Sequence, residues 1–373
     1  FQYYGAECLR LYGERIPSTR PGFQVEISRE PLGVIGIISP WNFPIAIPAW
    51  KAAPAMMCGN AVILKPASLT AGSAIALTEI ISNQDIPKGL FNLVLGSGSD
   101  IGNKIATHPN IVAITFTGSV EVGKKLYQDS SPMLKKMQME MGSKNPLVVM
   151  DDADLTTAIN CAANGAFGGT GQKCTASSRL IVHESIYKDF VDGLIENIKN
   201  LKVGHALDEG TKMGPASNQS QYESNLDYVE IGKGEAKLAY GGNPMNMRTP
   251  GYYMEPTLFI DGDNKSRINQ EEMFGPIACV IPTKNLENAL EIANETEFGL
   301  SSGIITQSLA KAEYFKENIK TGVSTVNLPT AGLDYHVPFG GRKASSFGPR
   351  EQGTYARDFY SQVKTSYINS GSV

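Results

Sequence analysis

Three times between Asn60 and Ser130 the chain follows an apolar run with a glycine- or proline-marked turn and then a helical pattern. NAVILKP leads into a helix over Ala71 to Ser82, FNLVLGSG into one over Asp100 to His108, and AITFTGS into one from Val120. Apolar runs of this length, alternating with helices, predict parallel strands joined by crossovers, because parallel neighbours cannot be joined by a tight turn. The segment is expected to be half of a doubly wound α/β domain. Ahead of it, FQVEISRE alternates apolar and polar residues as an edge hairpin does, and LGVIGIISP runs apolar as a core strand does.

After Asn145 the rhythm restarts with PLVVMDDADL, a helical segment from Thr156 to Gly168, SSRLIVHESI, and an amphipathic helix from Tyr187 to Leu201. A second α/β domain fits this better than an extension of the first. Gly204 to Gly251 reads as loops with one helix near Gln219 to Lys233, and strand-helix-strand order returns up to Gly303. The final DFYSQVKTSY (358–367) alternates as a strand with no obvious partner in its own domain, so it is expected to pair across a subunit boundary. Internal repeats and low-complexity tracts are absent.

A chain of 373 residues exceeds what one core usually supports, and 42% hydrophobic with 19% charged residues suits well-packed globular domains. The formal net charge of -4 and the lack of a dense Lys/Arg block provide no field for nucleic acid, which is not expected as a partner. Five scattered cysteines, Cys8, Cys58, Cys161, Cys174 and Cys279, fit a reducing compartment rather than a disulfide framework, and cytoplasm is the expectation. The four histidines, His108, His183, His205 and His336, are widely spaced, so no metal site is expected. The apolar stretch from Val34 to Pro54 is broken by Pro40, Asn42, Pro44, Pro48 and Lys51, so no membrane span is expected. The chain opens at Phe1, without Met, in a helix-like stretch, so its natural beginning is expected to be absent.

Two glycine-rich turns, GSGSDIG (96–102) and FTGSVEVG (116–123), follow strands and open helices, as pyrophosphate-binding turns do. Neither matches the strict G-x-G-x-x-G fingerprint, and each alone reads as an ordinary βα turn. Cys174 lies in GGTGQKCTASS, where small neighbours leave room beside the sulfur. A lone cysteine is more often a small buried hydrophobe, and a reactive one needs a helix N-terminus, a cation or polar neighbours to favour thiolate. Glu140 ends the apolar run MQMEM, where a carboxylate is costly unless it is hydrogen bonded or functional. As a single acid it reads as a salt-bridge partner, and Asn42 between two prolines reads as an Asx turn.

PWNFP (40–44), ILKPAS (63–68), FTGS (116–119), EMGSKNP (140–146), GQKC (171–174) and EEMFGP (271–276) occur together in this order. On these motifs, with Cys174 following Glu140 by 34 residues, the whole chain resembles the aldehyde dehydrogenase superfamily. The resemblance implies an α/β fold of three parts. A Rossmann-type cofactor-binding domain, incomplete at its N-terminus, would span residues 1–9 and 32–142. An α/β catalytic domain would span 143–353, and a small β oligomerisation element 10–31 and 354–373, giving a homodimer or homotetramer. Cys174 would be the nucleophile, Glu140 the base that activates water, and Asn42 with the Cys174 N–H an oxyanion hole. Trp41, Lys65, Ser68, Gly118, Ser119, Glu272 and Phe274 would bind the cofactor, NAD or NADP. Lys65 corresponds to the adenosine-ribose lysine, Gly118 and Ser119 to the pyrophosphate turn, and Glu272 and Phe274 to the nicotinamide-ribose residues.

Two positions depart from the family. Many NAD-preferring members have Glu where this chain has Ser68, so repulsion of a 2′-phosphate is absent and NADP is expected to be accepted. Ser143 stands where the family usually has Gly, and its hydroxyl would tune water access or be silent. The stretch DYHVPFGGRKASSFGPREQG (334–353) most resembles dehydrogenases of 2-oxoglutarate semialdehyde, also called 2,5-dioxopentanoate, and also those of succinic semialdehyde. Both substrates carry a distal carboxylate, for which Arg350, Arg342 and Arg267 are candidates, although each alone reads as a surface salt-bridge former. The rivals are oxidation of a broad set of aldehydes, acyl transfer to coenzyme A, against which Glu140 argues, and a non-catalytic body that retains the fold.

Overall fold

The computed structural model describes residues 1–369 and Gly371; residues 370, 372 and 373 of the expected terminal element lie outside the described residues. The chain divides into two compact units. Unit 1 holds Phe1–Met141, Leu333–Gly340 and the described residues from Ser346 onward, and unit 2 holds Gly142–Gly332 and Gly341–Ser345.

Strands are numbered along the chain. In unit 1 these are β1 (Glu14–Pro17), β2 (Phe23–Pro31), β3 (Val34–Ile38), β4 (Ala61–Lys65), β5 (Phe91–Leu93), β6 (Ile111–Thr117) and β7 (Lys136–Glu140). Unit 2 contributes β8 (Asn145–Val149), β9 (Ser177–His183), β10 (Lys237–Tyr240), β11 (Thr257–Ile260), β12 (Ile277–Thr283), β13 (Ser301–Ile305) and β14 (Val323–Val326). The chain then returns to unit 1 for β15 (Ser346–Phe347) and β16 (Ser361–Asn369).

Unit 1 contains a six-stranded sheet in the order β15-β7-β6-β3-β4-β5, parallel except for β15. Strand order reverses at β3, with β4 and β5 added on one side and β6 and β7 on the other. Both faces are covered, which is why β3 could read as continuously apolar. Ile35, Ile37, Val62 and Leu64 pack toward the helices Ala46–Met57 and Ala71–Ser82, while Ile114, Phe116, Met137 and Met139 line the opposite face. Gly36 in β3 has a packing reason, since a Cβ there would lie 2.5 Å from Cγ2 of Ile105.

A separate antiparallel sheet in unit 1 has the order β1-β2-β16. The terminal strand, expected to lack a partner in its own domain, has one here. Residues 357–360 form a helical turn, and β16 pairs with β2 of the same chain in a long register that sets Thr365 opposite Ile27. The partner lies more than 300 residues upstream, so no local pattern announced it.

Unit 2 is built on a seven-stranded sheet, β10-β11-β12-β9-β8-β13-β14, parallel except at β10. Alternate residues serve opposite cores: Leu147, Val149, Leu180 and Val182 face the helices Leu155–Ala166 and Tyr187–Lys199, and Val148, Ile181 and Ile304 face Leu286–Asn294. Residues 333–340 and 346–353, expected with this second domain, instead belong to unit 1. Ser346 pairs with Glu140 as β15 joins β7, Phe339 and Glu351 exchange backbone hydrogen bonds, and Glu351 forms a buried ion pair with Lys51.

Candidate active site

In unit 1 the residues singled out by sequence gather at the carboxyl ends of the central parallel strands. Trp41 and Asn42 follow β3, Lys65 ends β4 with Ser68 just beyond, and Gly118 and Ser119 follow β6. These strands flank the reversal of strand order at β3, the place where open α/β sheets leave a crevice for a ligand. Ser119 caps the helix Val120–Ser130, its Oγ accepting from the N–H of Val122 at 3.4 Å. The Gly118 N–H donates to the Glu140 carbonyl at 3.0 Å, and a Cβ at Gly118 would strike the Phe116 ring at 2.5 Å, so this turn requires glycine.

Lys65 is 5% exposed, and its ammonium donates to the carbonyl of Pro66 at 2.9 Å; burial lowers its pKa from the ordinary lysine value. Ser68 is exposed, with Oγ 3.5 Å from the Gly96 carbonyl. Ser39 after β3, Thr117 at the end of β6 and Thr70 after β4 each bury a hydroxyl with no hydrogen-bond partner among the described residues. Buried hydroxyls are normally satisfied, so three orphans at one end of one sheet mark a surface that fits a polar ligand such as a dinucleotide.

Glu140, the last residue of β7, is 3% exposed. Its Oε1 accepts from Gln138 Nε2 at 3.1 Å, and its Oε2 accepts from the Ser346 hydroxyl. Desolvation first, and then the charge of Glu351, push its pKa well above the ordinary carboxylate range, opposed by the Ser346 hydrogen bond and the charges of Lys51 and Arg350. A Cβ at Gly340 would meet Arg350 Nη1 at 2.8 Å and Glu140 Oε1 at 2.9 Å, so guanidinium and carboxylate flank the same glycine.

Behind Glu140 runs a buried polar chain. Gln138 Oε1 accepts from Thr115 Oγ1 at 2.6 Å, and Thr115 Oγ1 accepts from Lys51 Nζ at 2.7 Å. Lys51, 0% exposed, is ion-paired with Glu351, whose other oxygen accepts from Trp50 Nε1 at 2.8 Å.

In unit 2, Cys174 sits half-buried between a short helical turn, Gly168–Gly171, and β9. Gly169, Thr170 and Gly171 all have φ near +64°, and Thr170 is held in this left-handed conformation by burial and by its hydroxyl donating to the Gly214 carbonyl at 3.0 Å. A Cβ at Gly171 would lie 2.1 Å from the Gly275 carbonyl oxygen, so the Cys174 loop touches the Glu272–Gly275 loop through glycine. Phe274 is also left-handed, at φ +55°. The Cys174 carbonyl is fixed by Asn145 Nδ2 at 2.8 Å and by the Ser143 hydroxyl at 2.5 Å. Beside it, burial lowers the pKa of the Lys173 ammonium, opposed by Cys174.

Glu272 and Ser143 face each other in the same unit. Oε1 of Glu272 accepts the Ser143 N–H at 2.7 Å and lies 3.4 Å from its hydroxyl. Desolvation pushes the Glu272 carboxyl up to about 7, opposed by Ser143 and by the charge of Lys144. Ser143, Gly171, Lys173, Glu272 and Phe274 line a cleft of about 300 Å³. Lys144, 2% exposed, is lowered to about 7 by burial and by the charge of Arg179.

Sequence reasoning missed Lys51, Gln138, Ser346, Glu351 and Asn145. Lys51 and Gln138 carried a signal, one cation in the apolar helix AWKAAPAMM and one amide between buried methionines. Glu351 and Ser346 carried none, since their partners are distant in the chain. Of the candidate arginines, Arg267 is committed to Glu271 at 2.9 Å, Arg342 is exposed in unit 2, and Arg350 stands beside Glu140 in unit 1. Among the described residues no group of three or more His, Cys, Asp or Glu is placed to hold a metal ion, and no helix is long and apolar enough to cross a membrane.

Known proteins are similar to this chain in sequence and in fold. The model of the aldehyde dehydrogenase family matches residues 1–366. An alpha-ketoglutaric semialdehyde dehydrogenase of Bacillus subtilis is 42% identical over 98% of this chain and 76% of its own length. A 2,5-dioxopentanoate dehydrogenase of Saccharolobus solfataricus is 40% identical over 98% of the chain and 77% of its own length. Among solved structures, betaine aldehyde dehydrogenase of Staphylococcus aureus in complex with NAD+ superposes with a TM-score of 0.96 at 32% identity, over 100% of this chain and 74% of that one.

Proposed function

The chain belongs to the aldehyde dehydrogenase family, and we propose that it oxidises a short carboxylated semialdehyde, such as 2-oxoglutarate semialdehyde, to the carboxylic acid with NAD or NADP. The buried carboxylate of Glu140 carries this reading. Held by Gln138 and Ser346 and given a raised proton affinity, it is suited to take a proton from water, as hydrolysis of a thioester requires and acyl transfer to coenzyme A does not. The substrate class rests on the relatives named for alpha-ketoglutaric semialdehyde and 2,5-dioxopentanoate.

In this reading the Cys174 sulfur bonds to the aldehyde carbon, and Asn42 with the Cys174 N–H stabilises the oxyanion that develops. A dinucleotide held by the residues named below would supply the hydride acceptor needed to convert this adduct to a thioester. Glu140 then removes a proton from water, the resulting oxygen nucleophile attacks the thioester carbon, and Cys174 leaves as thiolate, releasing the acid. Lys65 and Ser68 would hold the adenosine ribose, Trp41, Gly118 and Ser119 the neighbouring cofactor surface, and Glu272 with Phe274 the nicotinamide ribose. The orphan hydroxyls of Ser39, Thr70 and Thr117 support a polar ligand at that end of the unit 1 sheet. The three-stranded sheet would serve assembly into a dimer or tetramer, its edge strand β16 exposing Val363 and Tyr367.

Glu140→Gln tests the division of labour. Mixed with cofactor and semialdehyde, it is expected to give one burst of cofactor reduction equal to the enzyme present and then stall as the thioester. Steady turnover at the wild-type rate would overturn the role of Glu140.

A further inference from the structure

Resting on the reading above, we propose that Ser143 is a positioning residue that couples the cofactor-binding carboxylate Glu272 to the nucleophile Cys174. Its main chain and side chain divide between the two. The Ser143 N–H donates to Glu272 Oε1 at 2.7 Å, whereas its hydroxyl donates to the Cys174 carbonyl at 2.5 Å and lies 3.4 Å from that same Glu272 oxygen. Ser143 is 6% exposed, and its hydroxyl oxygen accepts from Asn145 Nδ2 at 3.2 Å.

One hydroxyl carries one proton, and two acceptors lie within its reach. While the proton goes to the Cys174 carbonyl, that peptide is pinned by two donors, Ser143 and Asn145. Whatever changes the charge or position of Glu272 changes its competition for this proton, and with it the hold on the Cys174 peptide. Hydroxyls of a ribose donating to Glu272 are such a change. A glycine at this position would keep an N–H able to donate to Glu272 but has no hydroxyl, so the link to Cys174 belongs to the serine. Its neighbours of opposite and like charge, Lys144 and Glu271, do not bridge the two groups, since Lys144 Nζ has no hydrogen-bond partner among the described residues and Glu271 is paired with Arg267.

The test compares wild type with Ser143→Ala, Ser143→Gly and Ser143→Thr, each checked for folding by circular dichroism. Cofactor binding is followed by quenching of intrinsic fluorescence, and Cys174 reactivity by iodoacetamide labelling with and without saturating cofactor. In wild type the cofactor is expected to change the labelling rate roughly fivefold or more, the lower range of site-to-site coupling. In the alanine and glycine variants the change should shrink to about twofold or less while cofactor still binds, and threonine should restore it. An unchanged response in the alanine or glycine variant would mean that the cofactor acts on Cys174 by shielding alone, and would overturn the coupling. So would a wild type that binds cofactor without any change in labelling. Failure of wild type to bind NAD+ or NADP+ at all would instead defeat the functional reading on which the coupling rests.

Discussion

Gln138 donates its side-chain amide to Oε1 of Glu140 at 3.1 Å, and this one bond connects the proposed base to a buried ion pair two side chains away. Through Thr115 the chain reaches Lys51 and Glu351, and the ionisation of Glu140 depends on both of these buried charges. Breaking such a pair from one side leaves a buried charge uncompensated, at a cost of about 3–5 kcal/mol of stability.

The sign of the pH effect follows from those charges. Burial raises the Glu140 pKa, and Glu351 raises it further while Lys51 lowers it. Glu351→Gln removes the negative charge and leaves Lys51 positive, so Glu140 ionises at lower pH and the acidic limb of kcat, which contains the hydrolytic step, moves to lower pH. Lys51→Met moves the limb the other way. A pH–rate profile on folded variants checks both, and limbs that coincide with wild type would show that Glu140 does not set the profile.

Asn145 holds the Cys174 loop from within. Its Nδ2 reaches the carbonyls of Cys174 and Ala176, both at 2.8 Å, and its Oδ1 accepts from the Ser301 N–H at 3.0 Å. Asn145→Ala leaves these buried groups unsatisfied and should lower stability by about 2–4 kcal/mol. The urea midpoint should fall accordingly, and Cys174 labelling at neutral pH should change in the folded variant. A midpoint equal to wild type would mean that water or a neighbour replaces the amide fully.

Glu272 should make cofactor affinity pH dependent near neutrality. With its carboxyl pushed up to about 7, it is protonated below that value and accepts hydrogen bonds as a carboxylate above it. Cofactor binding is therefore expected to tighten as pH rises from about 6 to about 8, and to lose this slope in Glu272→Gln. Parallel slopes in the two proteins, read by fluorescence titration, would assign the titration to another group.

Ser68 is the residue we propose to govern the choice between the two dinucleotides. Its side chain is exposed and uncharged beside the Gly96 carbonyl. Ser68→Glu should lower kcat/KM with NADP+ by about tenfold or more, or about 1.4 kcal/mol, while leaving NAD+ far less affected. Equal losses with both cofactors would place the 2′-phosphate elsewhere.

Much of this arrangement is legible in the sequence because its signals are local. The apolar runs of β3, β4 and β6 are short and bounded by glycine or proline, and covering both faces of the sheet explains their lack of alternation. Glycine at 118 and 171 is dictated by close approaches, to the Phe116 ring and the Gly275 carbonyl, and both positions fall within recognisable motifs. What the sequence hides is held by long-range pairing. β16 finds β2 across most of the chain, and Lys51 finds Glu351 some 300 residues on, so neither relationship leaves a trace in nearby residues. Ser143 is visible as a departure from the family, but its two hydrogen bonds to Cys174 and Glu272 need the folded loops of unit 2.

The most direct test of the central claim is the initial rate of NAD+ and NADP+ reduction with 2-oxoglutarate semialdehyde, succinic semialdehyde and butanal, for wild type and Cys174→Ala. Carboxylated aldehydes should be turned over with higher kcat/KM than butanal, and all activity should vanish in the variant while cofactor binding persists. Equal specificity for succinic semialdehyde and butanal would contradict the substrate class. Turnover surviving in folded Cys174→Ala would contradict the mechanism itself.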